Sequence, residues 1–273
     1  MKVALLVNPR AGLGGAVGLK GSDGPEVQTE AIARRGQARG ASRVATFLQY
    51  LCSPEGDGAD FFLAPSAQPI TWVTWGAGMG ADSLRSLGFD HVRLGTPGAP
   101  TTAQDTIDAV HAFIDYNVDL IVFAGGDGTA RDVLSAVSGT VSCLGLPAGV
   151  KMHSGVFAIS PRAAARVVAD LANGRLIDRV AREVRDYVEP ERGSEVDVRA
   201  AVRTRGYGEL WVPEANDLLQ QTKVGGKETE ALAVNEISTY VSECWLEDRQ
   251  TALILGPGST CLAIKRELGI PGT

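Results

Sequence analysis

Apolar runs of strand length alternate with helical stretches along most of this chain, and that alternation predicts a parallel β-sheet covered on both faces by helices. Val3 to Val7, Ile70 to Thr74, Asp90 to Leu94, Leu120 to Phe123 and Ser142 to Leu146 read as strands. Ser42 to Leu51, Asp82 to Leu87 and Thr102 to Tyr116 read as helices between them. Thr102 offers an N-cap for the long helix, and Asp105, three residues on, stands where a capping-box acid would sit.

A second unit is expected after residue 160. Pro161 to Asn173 reads as an Ala/Arg/Val helix ended by Gly174, and charge density then rises through Asp178 to Glu195, as at a domain junction. Strands are expected at Arg182 to Val188, Gly208 to Val212 and Thr251 to Leu255, with a helix from about Glu228 to Trp245 and another over Cys261 to Leu268. The division is therefore 1–160 for an N-terminal three-layer open-sheet domain and 161–273 for a second, incomplete α/β domain, because such a unit normally needs further strands to bury its sheet.

Composition sets the class of ligand. With 273 residues, 44% of them hydrophobic, the chain is long enough for one large or two smaller cores. A net charge of -6 argues against a nonspecific nucleic-acid binder or an anionic-membrane binder and favours small molecules. The four cysteines are scattered without a C-x-x-C pair, which reads as reduced thiols in a cytoplasmic protein. The apolar start spans about six residues before Asn8-Pro9, too short for a signal region or for a membrane span of about 20.

Loops placed after the strands carry the chemistry, since open α/β sheets bind ligands outside the carboxyl ends of their strands. The first includes Asn8, Arg10, Gly12, Gly14 and Gly15 and runs on to Lys20, and it fits either a phosphate cradle or a flexible surface loop. The second, with Gly76, Gly78 and Gly80, lacks the full G-x-G-x-x-G spacing, so a plain strand-to-helix turn with Asp82 as a helix-start acid is the favoured reading. The third is Gly125-Gly126-Asp127-Gly128-Thr129, followed by Arg131 as added positive charge for phosphate. Two glycines before Asp127 and one after exceed what a helix cap requires, which favours a functional carboxylate beside phosphate-holding amides and Thr129. The fourth, Pro147 to Ser154, offers Lys151, His153 and Ser154 as donors, His153 being equally readable as a structural group.

In this chain order the loops resemble those of the ATP-NAD kinase superfamily, in the branch that holds archaeal-type NAD kinase-like proteins and the acetoin-catabolism protein X. Gly256-Pro257-Gly258-Ser259-Thr260 completes the set. The Gly-Gly-Asp-Gly-Thr run alone is shared with lipid kinases and phosphofructokinase-like proteins. The resemblance implies an NAD kinase/phosphofructokinase-like α/β fold and ATP-dependent phosphorylation of the 2'-hydroxyl of NAD to give NADP. It implies Asp127 as catalytic base, phosphate contacts from Gly125, Gly126, Gly128 and Thr129, and contributions to the nucleotide cleft from the first loop, Lys151 to Ser154 and Gly258, Ser259 and Thr260. ATP, NAD and a divalent metal such as Mg2+ are the implied ligands, and a homo-oligomer the implied state. Members of the branch continue well past the Gly-Pro-Gly-Ser-Thr loop, so the chain reads as C-terminally truncated. Asn235-Glu236 matches a ribose-binding pair of NAD kinases by type only, because Leu232, Ile237 and Val241 place it inside a helical stripe. Two other readings stay open: a kinase of another hydroxyl acceptor (sugar, nucleoside or lipid), and a non-catalytic nucleotide-binding accessory protein.

Overall fold

The computed structural model describes residues 1–14, 25–52, 67–139, 141–149, 152–176, 178–187, 204–215, 218–220, 252–256 and 259–268, with single positions between 234 and 245 and at 270. In chain order the elements are β1 (Lys2–Val7), α1 (Pro25–Ala33), α2 (Gly40–Cys52), β2 (Thr71–Thr74), a single 3-10 turn at Ala77–Met79, α3 (Ala81–Ser86), β3 (His91–Arg93) and α4 (Ala103–Asp115). Then follow β4 (Leu120–Gly125), α5 (Asp127–Ala136), β5 (Ser142–Pro147), α6 (Pro161–Ala172), β6 (Arg179–Tyr187), β7 (Thr204–Pro213) and α7 (Ser259–Glu267).

The first five strands form one parallel sheet in the order β3-β2-β1-β4-β5. The central strands β1 and β4 are apolar without alternation, as a strand buried on both faces must be. Helices α2 and α6 pack on each other and on β5, and α4 and α5 pair on the opposite side over β1, β2 and β4, giving three layers. Each helix turns a helical stripe inward: Val44, Phe47, Leu48 and Leu51 from α2, and Ala109, Val110 and Phe113 from α4. At the start of α4 the backbone N–H of Thr102 donates to Asp105 Oδ2 at 2.8 Å, the expected capping-box bond.

Strands β6 and β7 form a separate antiparallel pair with an irregularity between Val184 and Arg185. This pair packs on the first layer system, β7 against β5 and β6 against α5. Gly208, at φ 146°, brings β7 against Leu134 of α5, where an added Cβ would lie 3.2 Å from the Leu134 side chain.

One expectation fails. Residues 252–256 form no strand, and Ile254 is 92% exposed. An apolar run becomes a strand only where a partner ladder takes up its N–H and C=O groups, and none is provided here among the described residues. The described positions from Val234 to Trp245 are helical, as expected, while Asn235 and Glu236 lie outside the described residues.

Beyond β5 the chain doubles back, and Val156 to Ala158 runs alongside Gly145: Gly145 N–H donates to Val156 O and Ala158 N–H to Gly145 O, both at 2.9 Å. Phe157 lies over Gly145, where an added Cβ would sit 2.3 Å from the ring, and meets Phe123 edge-on with centroids 5.5 Å apart. Replacing Gly145 by Ala is expected to lower unfolding free energy by about 1–3 kcal/mol, read as a lower urea midpoint at unchanged slope.

Candidate active site

The sheet order reverses direction between β1 and β4. Their carboxyl ends therefore open a crevice from which loops diverge to either side, the place where open α/β sheets bind ligands. The backbone N–H of Asn8 continues the ladder onto Ala124 O at 2.9 Å. Its side chain then bridges two loops, Oδ1 accepting from Arg10 N–H and Nδ2 donating to Thr129 Oγ1, each at 2.9 Å.

Close backbone approach draws the other loops to the same edge. Gly12, at φ 80°, lies where a Cβ would be 2.3 Å from Ala148 O, and Gly14 occupies the same turn. Gly78 lies against Pro9, and Gly80 packs on Thr74 at the end of β2. Ala148 N–H donates to Gly125 O, which ties the loop after β5 to the end of β4. The side chain of Thr129 fills the place a Gly125 Cβ would take. Gly126 differs: a Cβ there would meet nothing within 4 Å, so the backbone at the start of α5 faces open space.

Helix α5 starts at Asp127, and no side chain caps it. Its first-turn N–H groups therefore point at the crevice with the positive end of the helix dipole behind them. The carboxylate of Asp127 is 6% exposed and accepts three hydrogen bonds: His153 N–H on Oδ2 at 2.7 Å, Ser154 N–H on Oδ1 at 3.1 Å, and Ser154 Oγ–H on Oδ1 at 2.6 Å. Burial pushes this carboxyl up to about 6 from 3.8. The Ser154 hydroxyl and the two amides pull the other way, and the charge of Asp186 adds a further upward push. An acid with that pKa is ionised at neutral pH and basic enough to accept a proton from a bound hydroxyl.

The sequence candidates fall into four groups. Asn8, Gly12, Gly78, Gly80, Gly125, Gly126, Gly128, Thr129, His153 and Ser154 come together along the crevice edge. Arg131 turns to the second sheet, forming an ion pair with Asp186 at 2.9 Å and lying 4.4 Å from the Tyr207 ring centre. Ser259 and Thr260 begin α7, whose far end is held by Arg162 donating to Arg266 O and Glu267 O, and neither joins the hydrogen bonds of Asp127. Gly15, Lys20, Lys151 and Gly258 lie outside the described residues. Sequence reasoning missed Asp186, Arg185 and Tyr207, because their stretch reads as a charged junction and only the β6–β7 pairing brings it to α5.

A model of the ATP-NAD kinase N-terminal domain matches residues 3–176. The chain belongs to the ATP-NAD kinase family. This ATP-NAD kinase domain thus carries its Gly-Gly-Asp-Gly-Thr run at the switch point of its sheet, and membership supports kinase-type phosphoryl transfer. Among solved structures the chain is similar, at 17% identity and a TM-score of 0.29, to one described as "putative diacylglycerol kinase from Bacillus anthracis str. Sterne". That likeness spans 66% of this chain and 42% of the other, so the chain covers less than half the length of that relative. No curated protein matches. No helix among the described residues is long and apolar enough to cross a membrane.

A carboxyl whose folded pKa is raised binds more protons in the folded than in the unfolded state between pH 4 and 6, so its stabilising effect is present at low pH and is lost as pH rises through about 6. Relative to Asp127→Asn, which has no such titration, the native ATP-NAD kinase chain is expected to lose roughly 1 kcal/mol between pH 5 and 7.5. Parallel urea-unfolding pH profiles for the two proteins would exclude the raised carboxyl.

Proposed function

We propose that this chain is an NAD kinase-like phosphotransferase that uses ATP to phosphorylate the 2'-hydroxyl of NAD, a step of NADP biosynthesis carried out in the cytoplasm. The observation that carries the reading is the buried carboxylate of Asp127 at the first position of an uncapped helix, with open space beside Gly126. Helix-start amides beside a glycine with no Cβ favour phosphate oxygens. The carboxylate one residue on is within the same turn, where an acceptor hydroxyl aligned with a bound phosphate would meet it.

In this reading Gly126, Gly128 and Thr129 bind and orient the phosphates, and Asn8 holds the Thr129 side chain in place through its 2.9 Å hydrogen bond. Asp127 takes the proton as the acceptor oxygen forms its bond to the γ-phosphorus and the bond from that phosphorus to the bridging oxygen breaks, releasing ADP. Preorganised donors supply the rest of the barrier reduction, since they cost no reorganisation during the reaction. Among the described residues no three His, Cys, Asp or Glu stand together in a way that could hold a metal ion. A divalent ion carried in with the nucleotide would offset the charge of its phosphates.

A second reading has its own support. A carboxylate that accepts three hydrogen bonds also serves as a clamp between α5 and the loop after β5, as a nucleotide-binding accessory protein would need. Purified protein given γ-labelled ATP and a panel of NAD, NADH, sugars, nucleosides and lipid alcohols separates the readings. Label on NAD is the expected result, with Asp127→Asn lowering turnover about 100- to 10,000-fold while nucleotide binding persists. Label on another acceptor keeps the kinase chemistry and changes the substrate, and nucleotide binding without turnover in the native protein supports the accessory role.

A further inference from the structure

Ser154 has one hydroxyl proton and two acceptors for it. Its Oγ lies 2.6 Å from Asp127 Oδ1 and 2.9 Å from the carbonyl oxygen of Arg185, while the N–H of Arg185 donates to the same Oγ at 3.0 Å. The residue is 1% exposed. A hydroxyl donates once and accepts twice, so Ser154 cannot donate to Asp127 and to Arg185 O at one moment.

We propose that Ser154 is a positioning residue whose hydroxyl rotates between Asp127 and the Arg185 carbonyl as the carboxyl loses and gains its proton. This rests on the reading of Asp127 as proton acceptor and deepens it. With Asp127 ionised, Oγ–H donates to Oδ1 and Oγ accepts from Arg185 N–H. When Asp127 takes the proton released by the acceptor hydroxyl, the new O–H on Oδ1 donates to Ser154 Oγ, and the Ser154 proton swings to Arg185 O by rotation about Cβ–Oγ. Ser154 neither gains nor loses a proton. Its Oγ then makes one donated and two accepted bonds, so the hydroxyl proton has a partner in both states. A fixed donor such as the His153 N–H favours the ionised form alone, whereas this rotor supports the carboxyl on both sides of the transfer.

The charged and titratable groups around the carboxyl are His153 on the same loop as Ser154, Arg131 and Asp132 on α5, Glu183, Arg185 and Asp186 on β6, and Tyr207 on β7. Asp186 is paired with Arg131, and the Arg185 guanidinium is paired with Glu183, so the rotor's partner on β6 is main chain.

The test is a 13C NMR titration of the native chain with labelled Asp and Ser, the Asp127 Cγ resonance being identified as the one lost in Asp127→Asn. The Ser154 Cβ resonance is expected to move with the same midpoint as Asp127 Cγ, and a Ser154 resonance flat through that midpoint overturns the proposal. In Ser154→Ala the Asp127 midpoint should rise by less than about one unit, because the donor to the ionised form and the acceptor of the protonated form are lost together, and Ser154→Thr should restore it. A folded Ser154→Ala protein whose midpoint rises by well over about one unit marks a donor to the ionised form alone and overturns the rotor. The acidic limb of the turnover profile should rise with the NMR midpoint. If the NMR midpoint moves and the limb does not, the rotor stands and the assignment of Asp127 as base falls.

Discussion

Three hydrogen bonds onto one buried carboxylate join parts of the chain that are far apart in sequence. Asp127 begins the helix after β4, its donors lie in the loop after β5, and Ser154 passes the link on to the backbone of β6. Gly155 N–H adds a bond to Glu183 O at 3.0 Å, so main chain next to the serine also ties the second sheet to the first. The same α5 helix carries Arg131, whose pair with Asp186 fastens β6 a second time, one turn farther along. The position of the buried carboxylate and the docking of the two sheets are therefore one structural fact.

The sheet itself was legible because its signals are local. Strand-length apolar runs and 3.6-residue stripes placed all five parallel strands and the helices α2, α3, α4 and α6 to within a few residues, and Thr102 with Asp105 marked the start of α4 correctly. The switch-point loops were legible for a related reason: glycines and a carboxylate directly after a strand name their own position. The failure at 252–256 has the opposite cause. Apolar content there was taken as a strand, but strand formation depends on a partner that local sequence does not supply.

Within the site, the residues nearest in sequence to the motif were the easiest to place and not always correctly aimed. Arg131, four residues after Asp127, was expected to face phosphate, yet Asp186 and the Tyr207 ring draw it to the second sheet. Asp186 could not be foreseen, because it lies in a run of charges whose register is set only by pairing with β7. Ser154 was singled out as a donor to ligand, while its hydroxyl is directed at Asp127 and Arg185. Side-chain type was readable from sequence, and direction was decided by tertiary partners.

Two of the three donors to Asp127 are main-chain amides, those of residues 153 and 154. An amide is supplied by every residue except proline, so this part of the hold runs through backbone and not through the 153 side chain. Loop shape is fixed by Ala148 against Gly125 at one end and by the Val156 to Ala158 pairing with Gly145 at the other. Proline at 153 or 154 would remove a donor and leave one side of the carboxylate unheld.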